Sequence, residues 1–362
     1  MLDIPIADIE NVQVIELLNE VEVYTDPRDG GQLLSKAPTL MELQWVRGFS
    51  NTGRFQLVTA FSPEKFRLYK PYDWETLERG HIIYKRDNNE AAFIEARKVI
   101  VTLEGQLLLI VEGQFLAKLL YSRFFSLEGD FTANALLLNI MNNNFLVGAG
   151  TNRSMSPLVR MLPIPTMSNE VIPAEYRRQN TGDAIRDILE ENDAGVRVLP
   201  VFSGGNGTPR VISNFDIEFY SATESIAVFD KEWGNVLEQD FMEDSANARN
   251  VVIIGDIHIH NNHIRGLDRK EMIASEPRQG ATRFTQTARD ALNRNRTLRR
   301  LSSRIDVNSV QFVYGKDWDI GSIVLSQNRD IGYSEREIVT EIIEFFDATG
   351  RNIEVNTGSV RR

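Results

Sequence analysis

The sequence predicts a mainly β protein with an α+β segment in its middle. Short runs typical of β-strands fill roughly the first 120 residues, and helix patterns interrupted by prolines follow over about 114–200. Strand patterns return from about residue 197 and continue towards the C-terminus. The chain has 362 residues, 42% hydrophobic and 25% charged, which is a globular composition long enough for two or three domains.

The N-terminal region is predicted to be built from hairpins. Met41–Arg47 alternates between apolar and polar residues, the turn-like Gly48–Gly53 interrupts it, and Phe55–Val58 resumes the alternation. Val99–Leu103 and Leu107–Val111 form a second such pair around a glycine. Many short strands separated by turn signals indicate an antiparallel sandwich or barrel.

The middle region is predicted to contain three helices. Phe115–Leu120 begins a short one, Thr132 is placed to cap a second, and Thr181 or Asp183 is placed to cap a third. Four prolines between residues 157 and 173 mark an extended connection between the second and third helices. This mixture predicts an α+β unit.

The C-terminal region returns to strands around one long helix. Its strand patterns are Val198–Phe202, Val251–Ile254, Gln311–Tyr314, Ser322–Leu325 and Glu337–Ile342. Gly204–Gly207 predicts a flexible hairpin loop, because the Lys-Ser/Thr of a phosphate-binding loop does not follow it. A helix is expected at about 281–302, with Leu292 and Leu298 among its apolar residues.

Composition excludes several kinds of protein. With no cysteine, the chain has no disulfide, thiolate metal site or cysteine nucleophile. Its apolar runs are far shorter than the ~18 residues of a membrane span. The acidic first ten residues do not resemble a signal peptide, so we expect no export signal. The net charge of −11 argues against a protein that coats nucleic acid.

Three of the four histidines cluster at His258, His260 and His263. On a strand, His258 and His260 share a face with Asp256, where a metal could bind, and in a trimer six such imidazoles could converge. The alternative is that Ile257 and Ile259 pack in a core and the polar residues face water. Since no HExxH spacing completes a site, we predict no metal and no cofactor, and keep His258 and His260 as the metal candidates.

The chain's charge is unevenly distributed. Arg265–Arg304 holds eleven Lys and Arg against four Asp and Glu, which is a net charge of +7. The remaining residues therefore carry a net charge of −18, and the whole chain −11. This segment is interpreted as a contact surface for a protein, as a nucleic-acid-binding face, or as an ordinary solvated helix. The acidity of the rest favours a protein contact over DNA.

Several segments together resemble one family. The N-terminal and middle ones are Leu43–Arg47, Gly53–Leu57, Gly80–Ile83, Ile110–Leu116, Leu119–Arg123, Thr181–Leu189 and Ala227–Asp230. The C-terminal ones are Gly266–Glu271, Lys316–Val324 and Ile338–Ile342. In order and spacing they resemble the tail-hub (baseplate hub) family of tailed bacteriophages, nearest to siphophage minor tail proteins that begin the tail-associated lysin module.

The chain also departs from that family. Ser322 stands where the family often has Asp, and His258–His263 replaces a usually glycine-rich stretch. The peptidase, lysozyme-like or fibre module of longer relatives does not follow in this sequence. We therefore expect no enzymatic activity.

The resemblance implies two β-barrel tube-like domains flanking an α+β domain, in a trimeric ring whose six barrels continue a six-fold tail tube. On this pattern the first barrel is 1–122, the α+β domain 123–228 and the second barrel, with a helical basic insertion, 229–346. Residues 347–362 are expected to be a C-terminal tail.

The implied function is a structural hub in the virion, at the distal end of a phage tail, assembled in the host cytoplasm. Expected neighbours are the distal tail ring, the tape-measure protein and a fibre or spike, with no membrane and no nucleic acid beyond DNA in the tail lumen. Expected core anchors are Trp45, Phe55, Trp318 and Ile323. Expected interface residues are Arg265, Arg269, Lys270, Arg283, Arg289, Arg299 and Arg300.

Two alternatives stay open from the residues alone. One is a metal-dependent hydrolase that uses Asp256 and the three clustered histidines. The other is a nucleic-acid-binding module that uses Arg265–Arg304.

Overall fold

The computed structural model covers all 362 residues. The structure describes residues 21–36, 40–61, 72–103, 105–205, 208–260, 266–274, 288–289, 291–292, 295, 297–307, 309–347 and 350–360. Among these residues, no helix is both long enough and apolar enough to cross a membrane.

The described residues form strands in three groups. The N-terminal strands are β1 (Val21–Tyr24), β2 (Leu33–Lys36), β3 (Glu42–Gly48), β4 (Arg54–Ala60), β5 (Ile82–Lys85), β6 (Glu90–Val101) and β7 (Leu107–Phe115). The middle strands are β8 (Phe124–Phe131), β9 (Val159–Met161), β10 (Ile172–Asn180), β11 (Ala194–Gly205) and β12 (Thr208–Ser221). The C-terminal strands are β13 (Thr223–Phe229), β14 (Val236–Asp244), β15 (Val251–Ile254), β16 (Ile257–His260), β17 (Glu271–Ile273), β18 (Leu298–Ile305), β19 (Ser322–Asn328), β20 (Tyr333–Asp347) and β21 (Gly350–Ser359).

Among the described residues, the longer helices lie in the middle region. The α-helices with defined bounds are α1 (Tyr72–Thr76), α2 (Ala133–Asn144) and α3 (Thr181–Glu191), and the longest of several 3-10 helices is Leu116–Tyr121. The side chain of Thr132 accepts a hydrogen bond from the Ala135 amide and so caps α2, which confirms the prediction. The cap of α3 is Asn180, not Thr181 or Asp183, because the Asn180 carboxamide accepts from the Gly182 and Asp183 amides.

One sheet of thirteen strands runs through the N- and C-terminal regions. Its order is β14-β18-β21-β20-β3-β4-β7-β6-β5-β1-β2, with β19 pairing β20 and β13 pairing β19. The long strand β20 joins the two halves: Tyr333–Ile338 pairs with β19, whereas Glu341–Phe346 pairs with β3. Its other edge pairs with β21 from Glu337 to Asp347.

Each half of the sheet encloses a core of its own. The N-terminal core contains Trp45 and Phe55 and draws residues from β1 and β3–β7. The C-terminal core surrounds Trp318 and draws residues from β13, β14 and β18–β21. A third core, from Leu116 to Phe219, belongs to the middle region and packs on the outer face of the N-terminal half through Tyr24 and its neighbours. The prediction of a mainly β protein with an α+β middle is therefore confirmed.

The expected closure into barrels is not seen. Among the described residues, backbone pairing leaves both halves open, although each curls around its core. In the C-terminal half the edges are bridged by side chains, because the Gln239 carboxamide donates to the Phe229 and Gln327 carbonyls. The Asn235 carboxamide likewise donates to the Val228 carbonyl. These side chains thus donate hydrogen bonds to backbone carbonyls that would otherwise pair with a strand closing the barrel.

Three local predictions in the C-terminal region need correction. Within the predicted helix at about 281–302, Leu298–Ile305 is instead β18, whose inward residues recur every second position, at Leu301 and Ser303. Gln311–Tyr314 forms no strand; Tyr314 makes an isolated bridge to Trp318 across the turn at 315–317. The expected C-terminal tail contains β21, because β20 and β18 both pair with it.

The predicted hairpin loop at Gly204–Gly207 connects two strands that pair as a hairpin. β11 and β12 pair antiparallel from Ala194 and Ser221 to Gly205 and Thr208.

Candidate functional site

The histidine cluster is not assembled into a metal site in the described residues. His258 lies exposed on β16, and its Nδ1 is 2.9 Å from the Arg269 guanidinium, which also pairs with Glu271. A guanidinium at this distance repels a cation from that nitrogen. Asp256 lies in the turn before β16, His260 pairs with Val251 through the backbone, and His263 lies outside the described residues. In the part of the chain that is described, no three His, Asp or Glu side chains are placed to hold a metal ion.

The basic segment is partly neutralised within the protein. Arg299 of β18 lies 3.0 Å from Glu243 of β14 and 3.4 Å from Glu335 of β20. Arg304 lies 3.8 Å from Glu238, also of β14. The strand β18 therefore places its positive charges beside the acidic strand β14.

The other predicted interface residues differ in environment. The ammonium of Lys270 donates to the Ser245 carbonyl at 3.0 Å, and Arg289 is exposed. The backbone of Arg300 pairs with that of Met242. Arg265 and Arg283 lie outside the described residues.

The four expected core anchors divide between the two cores. Trp45 and Phe55 are buried together, with ring centroids 5.9 Å apart. Trp318 is buried against Phe229 at 5.0 Å, and Ile323 is partly buried at the edge of the same core.

A buried charge network lies between these cores, and we call it the junction network. It contains three cations, four carboxylates and one phenol from strands and loops of both halves. Its members are Arg47, Lys85, Arg351, Asp87, Glu90, Asp319, Glu344 and Tyr314.

Arg47 is the centre of one part of the junction network. Its guanidinium is buried and donates to both oxygens of the Glu90 carboxylate, at 2.8–3.0 Å. It also donates to the Tyr314 hydroxyl at 2.7 Å and to Asp319. The Trp45 indole donates to Glu90 at 3.3 Å. One side chain of β3 thereby connects the start of β6 with the loop before β19.

Glu344 is the centre of the other part. Its carboxylate, which is fully buried, accepts from Lys85 at 3.2 Å, from Arg351 at 2.6 Å and from the Tyr314 hydroxyl at 2.9 Å. It belongs to β20, whereas Lys85 belongs to β5 and Arg351 to β21. Tyr314 contacts both parts and so joins them.

Aromatic rings cover the junction network on both sides. Lys85 and Arg351 lie 5.2 and 5.3 Å from the Phe346 ring, which belongs to the N-terminal core. Tyr314 packs against Trp318 of the C-terminal core at 4.9 Å. The Lys85–Glu344 and Arg47–Glu90 pairs are buried beside these rings, which strengthens their attraction, whereas Asp87, Asp319 and Arg351 are partly exposed.

The charges shift the titration of their neighbours. Burial by itself would raise the pKa of Glu344, but Lys85, Arg351 and a third cation outweigh it and hold the pKa below its ordinary value. Burial would lower the pKa of Arg47, yet the nearby Glu90 carboxylate contributes to raising it well above the ordinary range. Burial also raises the pKa of the Tyr314 phenol. Arg47, Glu344 and Tyr314 therefore keep one charge state at neutral pH.

Phe49 connects all three regions beside this network. Its amide donates to the Thr340 carbonyl of β20, and its carbonyl accepts from the Val196 amide of β11. Its ring fits against Gly195 and Gly321, where an added Cβ would come within 2.5 Å of it. A cavity of about 20 Å³, enough for one water molecule, lies next to it between Glu90, Tyr220 and other residues.

Sequence reasoning missed the junction network, although a signal for it exists. Leu43, Trp45 and Arg47 occupy alternate positions of one strand, so Arg47 has the register of a core residue. Glu344 likewise alternates with Ile342 and Phe346 of β20. A charged residue in the apolar register of a strand predicts a buried ion pair.

Two comparisons with known proteins give matches, and a third gives none. A family model described as Siphovirus ReqiPepy6 Gp37-like protein matches residues 20–359. No curated protein matches the chain.

Three solved structures of similar fold are described as tail proteins. The 43 kDa tail protein of prophage MuSo2 from Shewanella oneidensis is 13% identical, with a TM-score of 0.59 over 94% of this chain and 97% of that one. A tail protein from Neisseria meningitidis MC58 is 11% identical, with a TM-score of 0.56 over 94% and 96%. The prophage tail protein gp18 from Listeria monocytogenes EGD-e is 11% identical, with a TM-score of 0.55 over 93% and 94%.

Proposed function

Because the chain belongs to the Siphovirus ReqiPepy6 Gp37-like protein family, we propose that it is a non-enzymatic structural component of a phage tail. The membership confirms the resemblance to siphophage tail proteins. The structures of similar fold from Shewanella, Neisseria and Listeria are all described as tail proteins, which supports the same role and a place in the virion.

Within the tail, the role we propose is a hub that forms a trimeric ring. The observation that carries this proposal is that one chain holds two curled halves of a sheet, each around its own core, joined through β20. Three copies would present six such tube-like units on one side and three-fold symmetry on the other. A ring of this kind matches a six-fold tail tube to a three-fold fibre or spike.

The proposed partners follow from that position. They are two further copies of the chain, the distal tail ring, the tape-measure protein and a fibre or spike. We retain the division near residues 122 and 228, since the middle core spans Leu116 to Phe219. The basic segment, with exposed Arg289, remains the proposed contact surface.

Light scattering during size-exclusion chromatography tests the hub directly. We expect three times the 41.2 kDa protomer mass, and rings with six density lobes in electron micrographs. A monomer at assembly concentrations contradicts the proposal. Stoichiometric metal, or DNA binding that weakens with salt, would favour a hydrolase or a nucleic-acid-binding module instead.

A further inference from the structure

A gap between β5 and β20, two strands inside the sheet, is bridged directly by side chains alone. β5 pairs with β1 and β6, and β20 pairs with β3, β19 and β21, so no backbone ladder joins β5 to β20. The Lys85 ammonium crosses this gap to Glu344, and Arg351 lies 3.8 Å from Asp87 beside it. Ion pairs, of which Lys85–Glu344 is fully buried, therefore hold the two strands together beside the apolar contacts of the N-terminal core.

Glu344 has a central place in these contacts. It is the acceptor for Lys85 on one side of the gap, and for Arg351 and Tyr314 on the other. Asp87 accepts from Lys85 too, but it is partly exposed to solvent. Removing the negative charge of Glu344 leaves the buried Lys85 and the partly exposed Arg351 with Asp87, itself partly hydrated, as their nearest remaining carboxylate, and this is costly for the buried Lys85.

Charged groups surround Glu344 from every element packed against it. They are Lys85 and Asp87 from β5 and its turn, Arg47 from β3, Glu90 from β6, Tyr314 and Asp319 from the loop before β19, and Arg351 from β21. The remaining carboxylates pair mainly with Arg47 and Lys85. When Glu344 is protonated, Arg351 is therefore the cation with the weakest remaining attraction to a carboxylate.

We propose that Glu344 is an acid-sensitive contact, whose protonation releases β5 from β20 while the halves stay joined through β3 and β20. Six residue pairs of that ladder, from Glu341–Gly48 to Phe346–Leu43, need no carboxylate side chain. Release would expose the end of the N-terminal core around Phe346, which Lys85 and Arg351 cover. This separation of strands takes place within one chain and does not require the proposed trimeric ring.

The low pKa of Glu344 sets the pH at which β5 separates from β20. Its ordinary value is 4.5 and the surrounding cations lower it, so the contact is closed at neutral pH and opens below that value.

Hydrogen exchange measured by mass spectrometry between pH 7 and pH 3.5, corrected for intrinsic rates, tests this inference. We expect exchange in residues 82–93 to become on the order of tenfold faster below pH 4.5, while the β11–β12 hairpin stays protected. Glu344→Gln should show the faster exchange already at pH 7. Glu335→Gln, which changes an exposed carboxylate of the same strand, should behave as the unaltered protein.

A paired variant separates release from general destabilisation. In Lys85→Met/Glu344→Met neither charge of the Lys85–Glu344 pair remains to titrate, so residues 82–93 should exchange equally at both pH values. Equal exchange of residues 82–93 at both pH values in the unaltered protein would overturn the inference. So would loss of protection in all segments together, or identical behaviour of Glu344→Gln and Glu335→Gln.

Discussion

Arg47→Met removes the centre of one part of the junction network. The methionine fills much of the same space but supplies none of the hydrogen bonds that Arg47 donates to Glu90, Tyr314 and Asp319. Among the described residues, Glu90 then keeps only the Trp45 indole as a donor, at 3.3 Å. We expect the variant to lose free energy of unfolding because this carboxylate stays buried without its cation.

The size of the loss follows from burial. Glu90 is 6% exposed and Arg47 is 2% exposed, so bulk water reaches neither charge. Breaking a buried pair by removing one partner costs about 3–5 kcal/mol, against a total stability of about 5–15 kcal/mol. Asp319 is partly exposed and adds little, since water can replace its partner.

Urea unfolding followed by circular dichroism measures this loss. With an m-value of about 3 kcal/mol/M for a chain of this size, the midpoint should fall by about 1–1.7 M. The double variant Arg47→Met/Glu90→Leu removes both charges and should recover most of the loss. A single variant within about 1 kcal/mol of the unaltered protein, or a double variant no more stable than the single, would refute the reasoning.

The remaining predictions concern one glycine, one helix cap and one carboxylate. Gly321→Ala places a Cβ within 2.5 Å of the Phe49 ring at a φ of +81°. It should therefore lower the melting temperature more than Gly332→Ala, where φ is +66° and the space around the added Cβ is open. Equal melting temperatures of the two variants would contradict this prediction. Asn180→Ala removes the cap of α3 and should cost about 1 kcal/mol in urea unfolding, and no loss would show that the cap is dispensable. The lowered pKa of Glu344 contributes stability above its ordinary 4.5 that is lost as pH falls through the folded pKa. The stability difference between the unaltered protein and Glu344→Gln should therefore narrow below pH 4.5 in urea titrations, and a constant difference argues against it.

Local patterns predicted the elements where neighbours in sequence decide the structure. The hairpin from Met41–Arg47 to Phe55–Val58 appears as β3 and β4, because alternation and a turn suffice to specify it. Thr132 caps α2 for the same reason, since a cap needs only the next three residues. At Leu298–Ile305 the arginines conceal the two-residue period, and only pairing with β14 and β21 makes a strand.

By itself the sequence determined the order of β, α+β and β regions, the absence of thiol chemistry and the resemblance to phage tail proteins. These depend on composition, short periodicities and the spacing of motifs along the chain. Only the tertiary structure decided that β20 belongs to both halves and that Arg47 meets Glu90 and Glu344 meets Lys85. The physical reason is that the Arg47–Glu90 and Lys85–Glu344 contacts join residues 43 and 259 positions apart, and β20 meets β3 from the opposite end of the chain, so these residues become neighbours only when the sheet curls. The tertiary structure also brings part of the basic segment next to acidic residues, because the arginines of β18 form ion pairs with glutamates of β14.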